Sequence, residues 1–345
     1  MSKRKLTRRQ QWRIDKSQKE KLARAAKRAD RDQPDASQLD GEERPGLVVT
    51  HFGQQVIIED TTGQRCRCHF RANLPALVVG DRVLFLPPTG DSDAQTGVVT
   101  AVTPRDTELL RPDPYGNLKP VAANVDLMVI TFAPVPAPSS VLLDRYLVAA
   151  ELSGIRPLLL LNKADLVDDT LRPLLDELTA LYQPLGYPVL EVSAVDAQNL
   201  KPLRKVLAGH TSVLVGQSGV GKSSLINALL PDAELEVRSV SDQSGLGQHT
   251  TVTARLFHLP EGGQLIDSPG VREFGLWHIN EDELLRGYVE LAPLAANCRF
   301  RNCSHRHEPG CALLQAAETG EVSGERLANF FHIADTLDDE ARQRY

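Results

Sequence analysis

A glycine-rich segment in the middle of the chain has the spacing of a phosphate-binding loop. Residues 216–223 read GQSGVGKS, which matches G-x-x-x-x-G-K-[ST], and they follow a strand pattern and open a helix pattern. Glycines let backbone N–H groups surround phosphate oxygens, and the start of a helix adds partial positive charge. In this pattern Lys222 reaches the β- and γ-phosphates and the Ser223 hydroxyl binds Mg²⁺. The predicted phosphate-binding residues are Gly216, Gln217, Ser218, Gly219, Val220, Gly221, Lys222, Ser223 and Ser224.

A second motif selects the base of the nucleotide. Residues 162–165 read NKAD and follow the apolar strand pattern LLLL. The Asp165 carboxylate can accept hydrogen bonds from both N1–H and N2–H₂ of guanine, whereas adenine would leave it unpaired, so the motif favours GTP over ATP. The stem of Lys163 can cover the base, and backbone N–H groups after the next strand can contact the guanine O6. The predicted base-binding residues are Asn162, Lys163, Ala164, Asp165, Ser193 and Ala194.

Two further loops have residues suited to the γ-phosphate and its metal ion. The segment GLGQHTT offers Thr250 and Thr251 for Mg²⁺; we assign Thr251, although the residues alone do not separate the two. In the segment DSPG, Asp267 can hold a water molecule bound to Mg²⁺ and the Gly270 N–H can face the γ-phosphate. These positions complete a predicted Mg²⁺–GTP site.

Hydrolysis of GTP also needs an oriented water molecule. Many GTPases place glutamine directly after the glycine of D-x-x-G, but here that position is Val271, which cannot hydrogen-bond. His249, beside the two threonines, is the nearest candidate in sequence for orienting the water. A role for His249 in capping the loop is the alternative.

A cluster of metal-ligating residues lies near the C-terminal end. Cys298, Cys303 and Cys311 occur with His305 and His307 within 14 residues. Three thiolates and one imidazole suit a closed, tetrahedral and structural Zn²⁺ site. The spacing is not that of a common zinc finger, so the residues alone leave His305 and His307 as alternatives for the fourth ligand.

The sequence around these motifs predicts the elements that position them. From Asn124 onward, apolar strand patterns alternate with helix patterns, which is typical of a parallel sheet covered on both faces. Five short alternating strand patterns precede it and predict a small β-barrel of the OB type; an SH3-like barrel or an open meander would have the same strand count. Cys66 and Cys68 share one face of a barrel strand, and we assign them no chemistry.

The predicted fold class is therefore multidomain, with four parts. A basic, disordered arm and linker covers 1–45, and the OB-type barrel covers 46–112. A P-loop GTPase domain of the α/β class covers 113–277, and a zinc-binding helical module covers 278–345.

Composition limits the class of protein, and charge distinguishes the arm. The chain has 345 residues, 41% hydrophobic and 24% charged, which excludes a wholly disordered or collagenous protein. No apolar run reaches the roughly 18–20 residues of a membrane helix, and no signal peptide is predicted, so we expect a cytoplasmic protein without membrane contact.

Residues 1–31 hold thirteen Lys and Arg against three acids, which gives this arm a net charge of +10 and leaves −16 for the remainder of the chain. Such an arm suits RNA binding; a solubility tail is the alternative.

The order of the motifs is unusual, because NKAD and Ser193-Ala194 precede the phosphate loop. Most GTPases have the reverse order, so the domain is circularly permuted, with residues 200–209 joining the old ends. An N-terminal barrel, the permuted order, GLGQHTT, DSPGVREFG and a Cys/His tail together resemble the RsgA (YjeQ) family of small ribosomal subunit biogenesis GTPases, over about residues 46–335.

The resemblance implies a monomeric, late-acting assembly factor on the bacterial small (30S) ribosomal subunit. It would bind rRNA, hydrolyse GTP to GDP and phosphate with stimulation by the subunit, and leave on hydrolysis. The resemblance also selects His305 as the fourth ligand of one structural Zn²⁺ and supports His249 as the water-orienting residue. The alternative is an RNA-binding scaffold that nucleotide only stabilises, with incidental turnover. A P-loop ATPase is disfavoured by Asp165.

Overall fold

The computed structural model describes residues 41–53, 55–70, 74–88, 96–113, 117–230, 254–268 and 279–343. The predicted arm and linker, apart from 41–45, lies outside the described residues. The chain divides into two compact units, one formed by Met1–Leu77 and Asp81–Pro104 and the other by Val78–Gly80 and Arg105–Tyr345. The four predicted domain ranges stay predictions.

The first unit contains a closed barrel. Strand β1 pairs antiparallel with β2 and β4, β2 with β3, and β4 with β5, while β3 and β5 are parallel. Every strand thus has two neighbours, in the closed order β1-β2-β3-β5-β4, which confirms the predicted OB-type barrel and excludes an open meander. The strands are β1 (Arg44–Phe52), β2 (Gln55–Asp60), β3 (Arg65–Phe70), β4 (Arg82–Leu86) and β5 (Gly97–Val102).

Buried side chains from all five strands, together with Leu77, build the core of the barrel. In β4, Val83 and Phe85 are buried while Arg82 and Leu84 are exposed, as expected where one face of a strand meets a core. The buried core residues are Val48, Val56, Ile58, Cys68, Leu77, Val83, Phe85 and Val99.

The second unit contains a six-stranded sheet in the order β10-β9-β8-β11-β13-β12. All neighbours in this sheet are parallel except β12, which is antiparallel to β13. All six residues of β8 are buried, as expected for a strand covered on both faces. The strands are β8 (Leu127–Phe132), β9 (Arg156–Leu161), β10 (Val189–Glu191), β11 (Thr211–Val215), β12 (Ala254–His258) and β13 (Gln264–Asp267).

A hairpin that the sequence patterns did not predict precedes this sheet. Its strands are β6 (Glu108–Pro112) and β7 (Leu118–Ala123), and they pair antiparallel. Asn124 follows the hairpin with a φ of 56°, and its amide donates to the Gly80 carbonyl at 2.8 Å while its Oδ1 accepts from the Asp106 N–H at 2.9 Å. One side chain therefore fixes the start of the α/β part of the unit.

Helices cover the sheet and form the C-terminal part of the unit. Helix α1 begins after the Ser139 cap, and α5 begins with a capping box of Asn280 and Glu283. The last helix, α8, packs against α1. Within the described ranges, no helix combines the length and apolar character needed to cross a bilayer. The helices are α1 (Ser140–Leu152), α2 (Leu171–Ala180), α3 (Lys201–Leu207), α4 (Lys222–Leu229), α5 (Glu281–Arg286), α6 (Leu291–Ala295), α7 (Ala312–Thr319) and α8 (Gly324–Gln343).

Candidate functional site

The glycine-rich loop joins the end of β11 to the start of α4. Gly216 has a φ of 139°, and a Cβ there would lie 2.1 Å from the Thr131 carbonyl oxygen. Gly221 has a φ of 96°, and a Cβ there would lie 2.4 Å from the Asn162 amide nitrogen. Both backbone conformation and space therefore demand glycine at these two positions.

The loop is folded around the lysine that follows it. Lys222 Nζ donates to the carbonyl oxygens of Gly216 at 2.6 Å and Gln217 at 2.8 Å. Its ammonium thus lies inside the curve of the loop. Ser223 and Ser224 occupy the first turn of α4 and are exposed to solvent.

The NKAD segment follows β9 and is bonded to the glycine-rich loop. The Asn162 amide, 1% exposed, donates to the Val220 carbonyl at 2.8 Å. Lys163 has a φ of 61° and its Nζ donates to the carbonyls of Gly219 at 2.7 Å and Val135 at 2.8 Å. Two loops more than 50 residues apart in sequence are therefore held together by side chains of the motif.

Asp165 points into solvent beside the end of β10. The hydroxyl of the buried Ser193 donates to Asp165 Oδ1, while Ala194 is half-buried next to it. The sequence pattern predicted only backbone N–H contacts from Ser193 and Ala194. In the structure, the Ser193 hydroxyl also orients the Asp165 carboxylate. No local sequence pattern predicts this contact.

Asp267 ends β13, which is the parallel neighbour of β11. Parallel strands present their carboxyl ends at one edge of a sheet, so Asp267 and the glycine-rich loop share that edge. Four other predicted residues, His249, Thr250, Thr251 and Gly270, lie outside the described residues.

A tyrosine that sequence reasoning missed also contacts this edge. Tyr146 of α1 is buried, and its hydroxyl accepts a hydrogen bond from the Gly216 backbone N–H, while burial raises the pKa of this phenol. It lines a small cavity beside the loop together with Thr131 and Ser139. Helix α1 is therefore packed directly against the first residue of the glycine-rich loop.

The second candidate site is the Cys/His cluster of the C-terminal part. The ligand atoms of Cys298, Cys303, His305 and Cys311 all lie within 4.8 Å of one another. His305 Nδ1 is 3.4 Å from Cys298 Sγ and 3.6 Å from Cys311 Sγ, and these two sulfurs are 4.0 Å apart. A tetrahedral zinc ion with Zn–S of about 2.3 Å and Zn–N of about 2.0–2.1 Å requires separations of about 3.5–3.8 Å. The donor set and its spacing therefore fit one metal ion.

The loop between the second and third cysteines gives the cluster its shape. His305 is buried with a φ of 59°, whereas His307 is exposed and outside the cluster. The Glu308 carboxylate accepts from the Ser304 hydroxyl at 2.6 Å and from the Ser304 N–H at 2.9 Å. These hydrogen bonds hold the pKa of Glu308 well below its usual range. The loop is thereby fixed with the imidazole of His305 turned toward the sulfurs.

A buried ionic network joins the C-terminal helices to α1. The Arg326 guanidinium, 1% exposed, donates to Asp144 of α1 and to Glu290 at 2.7 Å. Asp144, 0% exposed, also accepts from the Asn329 amide at 3.0 Å, and the Tyr288 ring lies 4.5 Å from the guanidinium carbon. Burial raises the pKa of Asp144, and the charge of Arg326 opposes that rise. Buried ion pairs thus attach the C-terminal helices to the part of the unit that contains the sheet.

The strand order, the glycine-rich loop and the early position of NKAD define a circularly permuted P-loop GTPase. Residues 102–277 match the family model described as RsgA GTPase. Together with the relatives below, this match shows that the chain belongs to the RsgA GTPase family.

The relatives span the whole chain. The small ribosomal subunit biogenesis GTPase RsgA of Alcanivorax borkumensis is 62% identical and covers 100% of this chain and 99% of its own. The protein of the same name from Ectopseudomonas mendocina is 55% identical over 99% of both chains. The crystal structure of YjeQ from Thermotoga maritima has a TM-score of 0.70 at 32% identity, covering 86% of this chain and 99% of that one. YloQ, a circularly permuted GTPase, has a TM-score of 0.68 at 28% identity, covering 87% of this chain and 96% of that one. The predicted family and fold class are confirmed.

Proposed function

We propose that this protein hydrolyses GTP to GDP and phosphate as a late assembly factor of the bacterial small (30S) ribosomal subunit. Membership of the RsgA GTPase family supports this proposal, as do relatives named small ribosomal subunit biogenesis GTPases. In this proposal the protein acts as a monomer in the cytoplasm, binds rRNA, is stimulated by the subunit and leaves it on hydrolysis. The basic arm provides part of the RNA contact.

One structural observation favours guanine nucleotides in particular. Asn162 and Lys163 bind carbonyls of the glycine-rich loop, and Asp165 beside them is free to face a base while Ser193 holds one of its oxygens. A base bound at Asp165 therefore lies at a fixed distance from phosphates bound in the loop. Only guanine offers the two adjacent N–H donors that a carboxylate accepts together.

Each described residue of the site then has a chemical role. Backbone N–H groups of residues 216–221 surround the phosphates, and Lys222 exchanges its carbonyl partners for phosphate oxygens. Asp165 binds guanine N1–H and N2–H₂, Lys163 covers the base, and the backbone of Ser193 and Ala194 faces O6.

The residues at this edge also suit Mg²⁺. The exposed Ser223 hydroxyl and the Asp267 carboxylate are oxygen donors of the type that Mg²⁺ prefers, and Thr251 is proposed as a further ligand. When bound, Mg²⁺ neutralises the charge that develops on the phosphates. His249, with Gly270, is proposed to orient the water and the γ-phosphate.

The C-terminal cluster is proposed to hold one structural zinc ion. Cys298, Cys303, His305 and Cys311 supply three thiolates and one imidazole, a closed set that leaves no position for substrate. A loop with so few apolar side chains depends on metal binding for its folding free energy.

The test of nucleotide specificity is the affinity of the Asp165→Asn variant for GTP, ATP and xanthosine triphosphate. The amide cannot accept both guanine donors, so GTP affinity falls by about 1.5–3 kcal/mol, at least tenfold. Xanthosine triphosphate partly restores binding, because its O2 accepts from the new amide. The control is Asp169→Asn, which alters an exposed carboxylate in the same segment and leaves GTP affinity unchanged. Equal GTP affinity in both variants would remove the guanine assignment.

The enzyme and the scaffold differ in turnover with purified small subunits. If hydrolysis is the function, the rate of GTP turnover rises by orders of magnitude when subunits are added. If nucleotide only stabilises an RNA-binding scaffold, as Val271 in place of glutamine would allow, turnover stays at its basal rate.

A further inference from the structure

Two thiols of the barrel lie within contact distance. Cys66 and Cys68 are two residues apart on β3, so both side chains project from the same face of the strand. Their Sγ atoms are 3.6 Å apart. Cys68 is 0% exposed within the barrel core, whereas Cys66 is half-buried at its margin. The pair therefore has one residue that solvent partly reaches and one that it does not.

The neighbouring strand holds the buried sulfur in place. Gly97 of β5 pairs with Cys68, and a Cβ on that glycine would lie only 2.9 Å from Cys68 Sγ. The Gly97 backbone N–H also donates to this sulfur. Because Gly97 has no side chain, Cys68 Sγ can occupy the space beside it. The sulfur is thereby held next to Cys66.

The two thiols differ in acidity as well as in exposure. The hydrogen bond between the two sulfurs lowers the pKa of the Cys66 thiol. The same bond, together with burial, raises the pKa of Cys68. A thiolate and not a thiol is the nucleophile, so Cys66, the more exposed of the two residues, is also the one that reacts first.

We propose that Cys66 and Cys68 form a reversible oxidation site at which a peroxide converts two thiols into an intramolecular disulfide. The Cys66 thiolate attacks hydrogen peroxide and the O–O bond breaks, which gives a sulfenic acid and a hydroxide that takes up a proton to become water. Cys68 sulfur then attacks Cys66 sulfur; the S–S bond forms, the S–O bond breaks, and the hydroxide leaves as water with the proton of Cys68. Two thiols lose two electrons, and the peroxide is reduced to two molecules of water.

The bridge is expected to be labile. Residues two apart on a strand have Cα atoms about 6.6 Å apart, near the upper end of the roughly 4.4–6.8 Å range of disulfides. The distance between the two sulfurs must also shorten from 3.6 Å to about 2.05 Å, and this movement strains the backbone of β3. Strained disulfides are the easily reduced ones, so this site suits reversible modification and not permanent stabilisation.

The test uses the full chain, reduced and zinc-loaded, before and after a small excess of hydrogen peroxide. Remaining thiols are alkylated, and the protein is digested with trypsin without reductant and analysed by mass spectrometry. Trypsin cleaves after Arg67, between the two cysteines, so the unbridged chain yields the separate peptides Cys66–Arg67 and Cys68–Arg71. The bridged chain yields the two peptides joined, and dithiothreitol separates them. We expect the joined pair to become the main product of this region.

Two variants test the division of roles. In Cys68→Ala the sulfenic acid on Cys66 persists and is trapped by dimedone, whereas the unaltered chain gives little adduct. Cys68→Ser serves if the alanine variant does not fold. In Cys66→Ala the buried thiol of Cys68 remains alkylatable after unfolding, because peroxide does not reach it.

Three results would overturn the proposal. Full alkylation of both cysteines after peroxide treatment would show that no bridge forms. A disulfide from Cys66 to a cysteine of the C-terminal cluster would show that Cys68 is not its partner. Equal dimedone labelling of Cys66 with and without Cys68 would show that the buried sulfur does not resolve the sulfenic acid.

Discussion

Replacing Arg326 by methionine removes the cation of the buried network while keeping a long side chain. Asp144, 0% exposed, then loses the guanidinium that pairs with it and keeps only hydrogen bonds from neutral groups. Removing one partner of a buried ion pair costs about 3–5 kcal/mol. At about 1.4 kcal/mol per factor of ten, the unfolding equilibrium constant rises roughly a hundred- to several-thousand-fold.

The stability lost in Arg326→Met depends on pH, and the burial of Asp144 determines the direction of that dependence. Burial already raises the pKa of Asp144, and loss of the nearby positive charge raises it further. A carboxyl group whose pKa is higher in the folded state binds its proton more tightly there, so stability is lost as pH rises through that value. The deficit of Arg326→Met is therefore largest at neutral pH and shrinks as the solution is acidified.

The assay is urea unfolding followed by circular dichroism, on Arg326→Met, Asp144→Asn and the double variant. The control is Arg172→Met, which breaks an exposed ion pair of 2.7 Å with Glu191 and costs at most about 1 kcal/mol. The double variant should lose less than the two single losses added, since position 144 then carries no buried charge and only Glu290, whose side chain is 12% exposed, loses its cation. Additive losses, or a cost of Arg326→Met no greater than that of Arg172→Met, would refute the reasoning.

Three other changes have defined outcomes. Cys303→Ala should lower the zinc content from about one ion per chain and unfold the C-terminal cluster while sparing GTP binding, measured by elemental analysis and nucleotide titration. Deletion of residues 1–31 should reduce the slope of log affinity for the small subunit against log salt concentration by roughly 4–5, if about five arm residues neutralise phosphates. Basal GTP turnover should stay unchanged. Asn124→Ala should cost about 1–3 kcal/mol in the same urea assay, because the Gly80 carbonyl and the Asp106 N–H lose their partner.

The nucleotide-facing residues were predictable because their chemistry is local. The glycine-rich loop and NKAD each occupy consecutive positions directly after an apolar strand, and parallel strands bring such positions to one edge. Short alternating strands likewise predicted the barrel. The residues 108–123 gave no comparable signal, since Pro112 and Pro120 interrupt the alternation although both lie within the hairpin.

The contacts that the sequence did not reveal are long-range ones. No motif surrounds Asp144, Glu290 or Arg326 in the sequence. Only the packing of α8 on α1 brings these residues together. The same holds for the hydroxyl of Ser193 on Asp165, because neither residue type specifies the other. Even for Cys66 and Cys68, spacing predicted a shared face but not a sulfur separation of 3.6 Å.

Circular permutation determines where the C-terminal part is attached. The strand of the glycine-rich loop, β11, lies between β8, the first strand of the permuted sheet, and β13, the last. Since parallel strands run the same way, the chain enters β8 at the edge far from the loop and leaves β13 at the loop edge, after Asp267. The C-terminal helices are thus connected at the edge where the γ-phosphate is proposed to bind. The pair of Arg326 and Asp144 attaches them a second time, to α1, the helix that follows β8 and contacts Gly216 through Tyr146. Both strands beside β11 therefore lead to the same C-terminal helices, and we propose these two connections as the routes by which loss of the γ-phosphate acts on them.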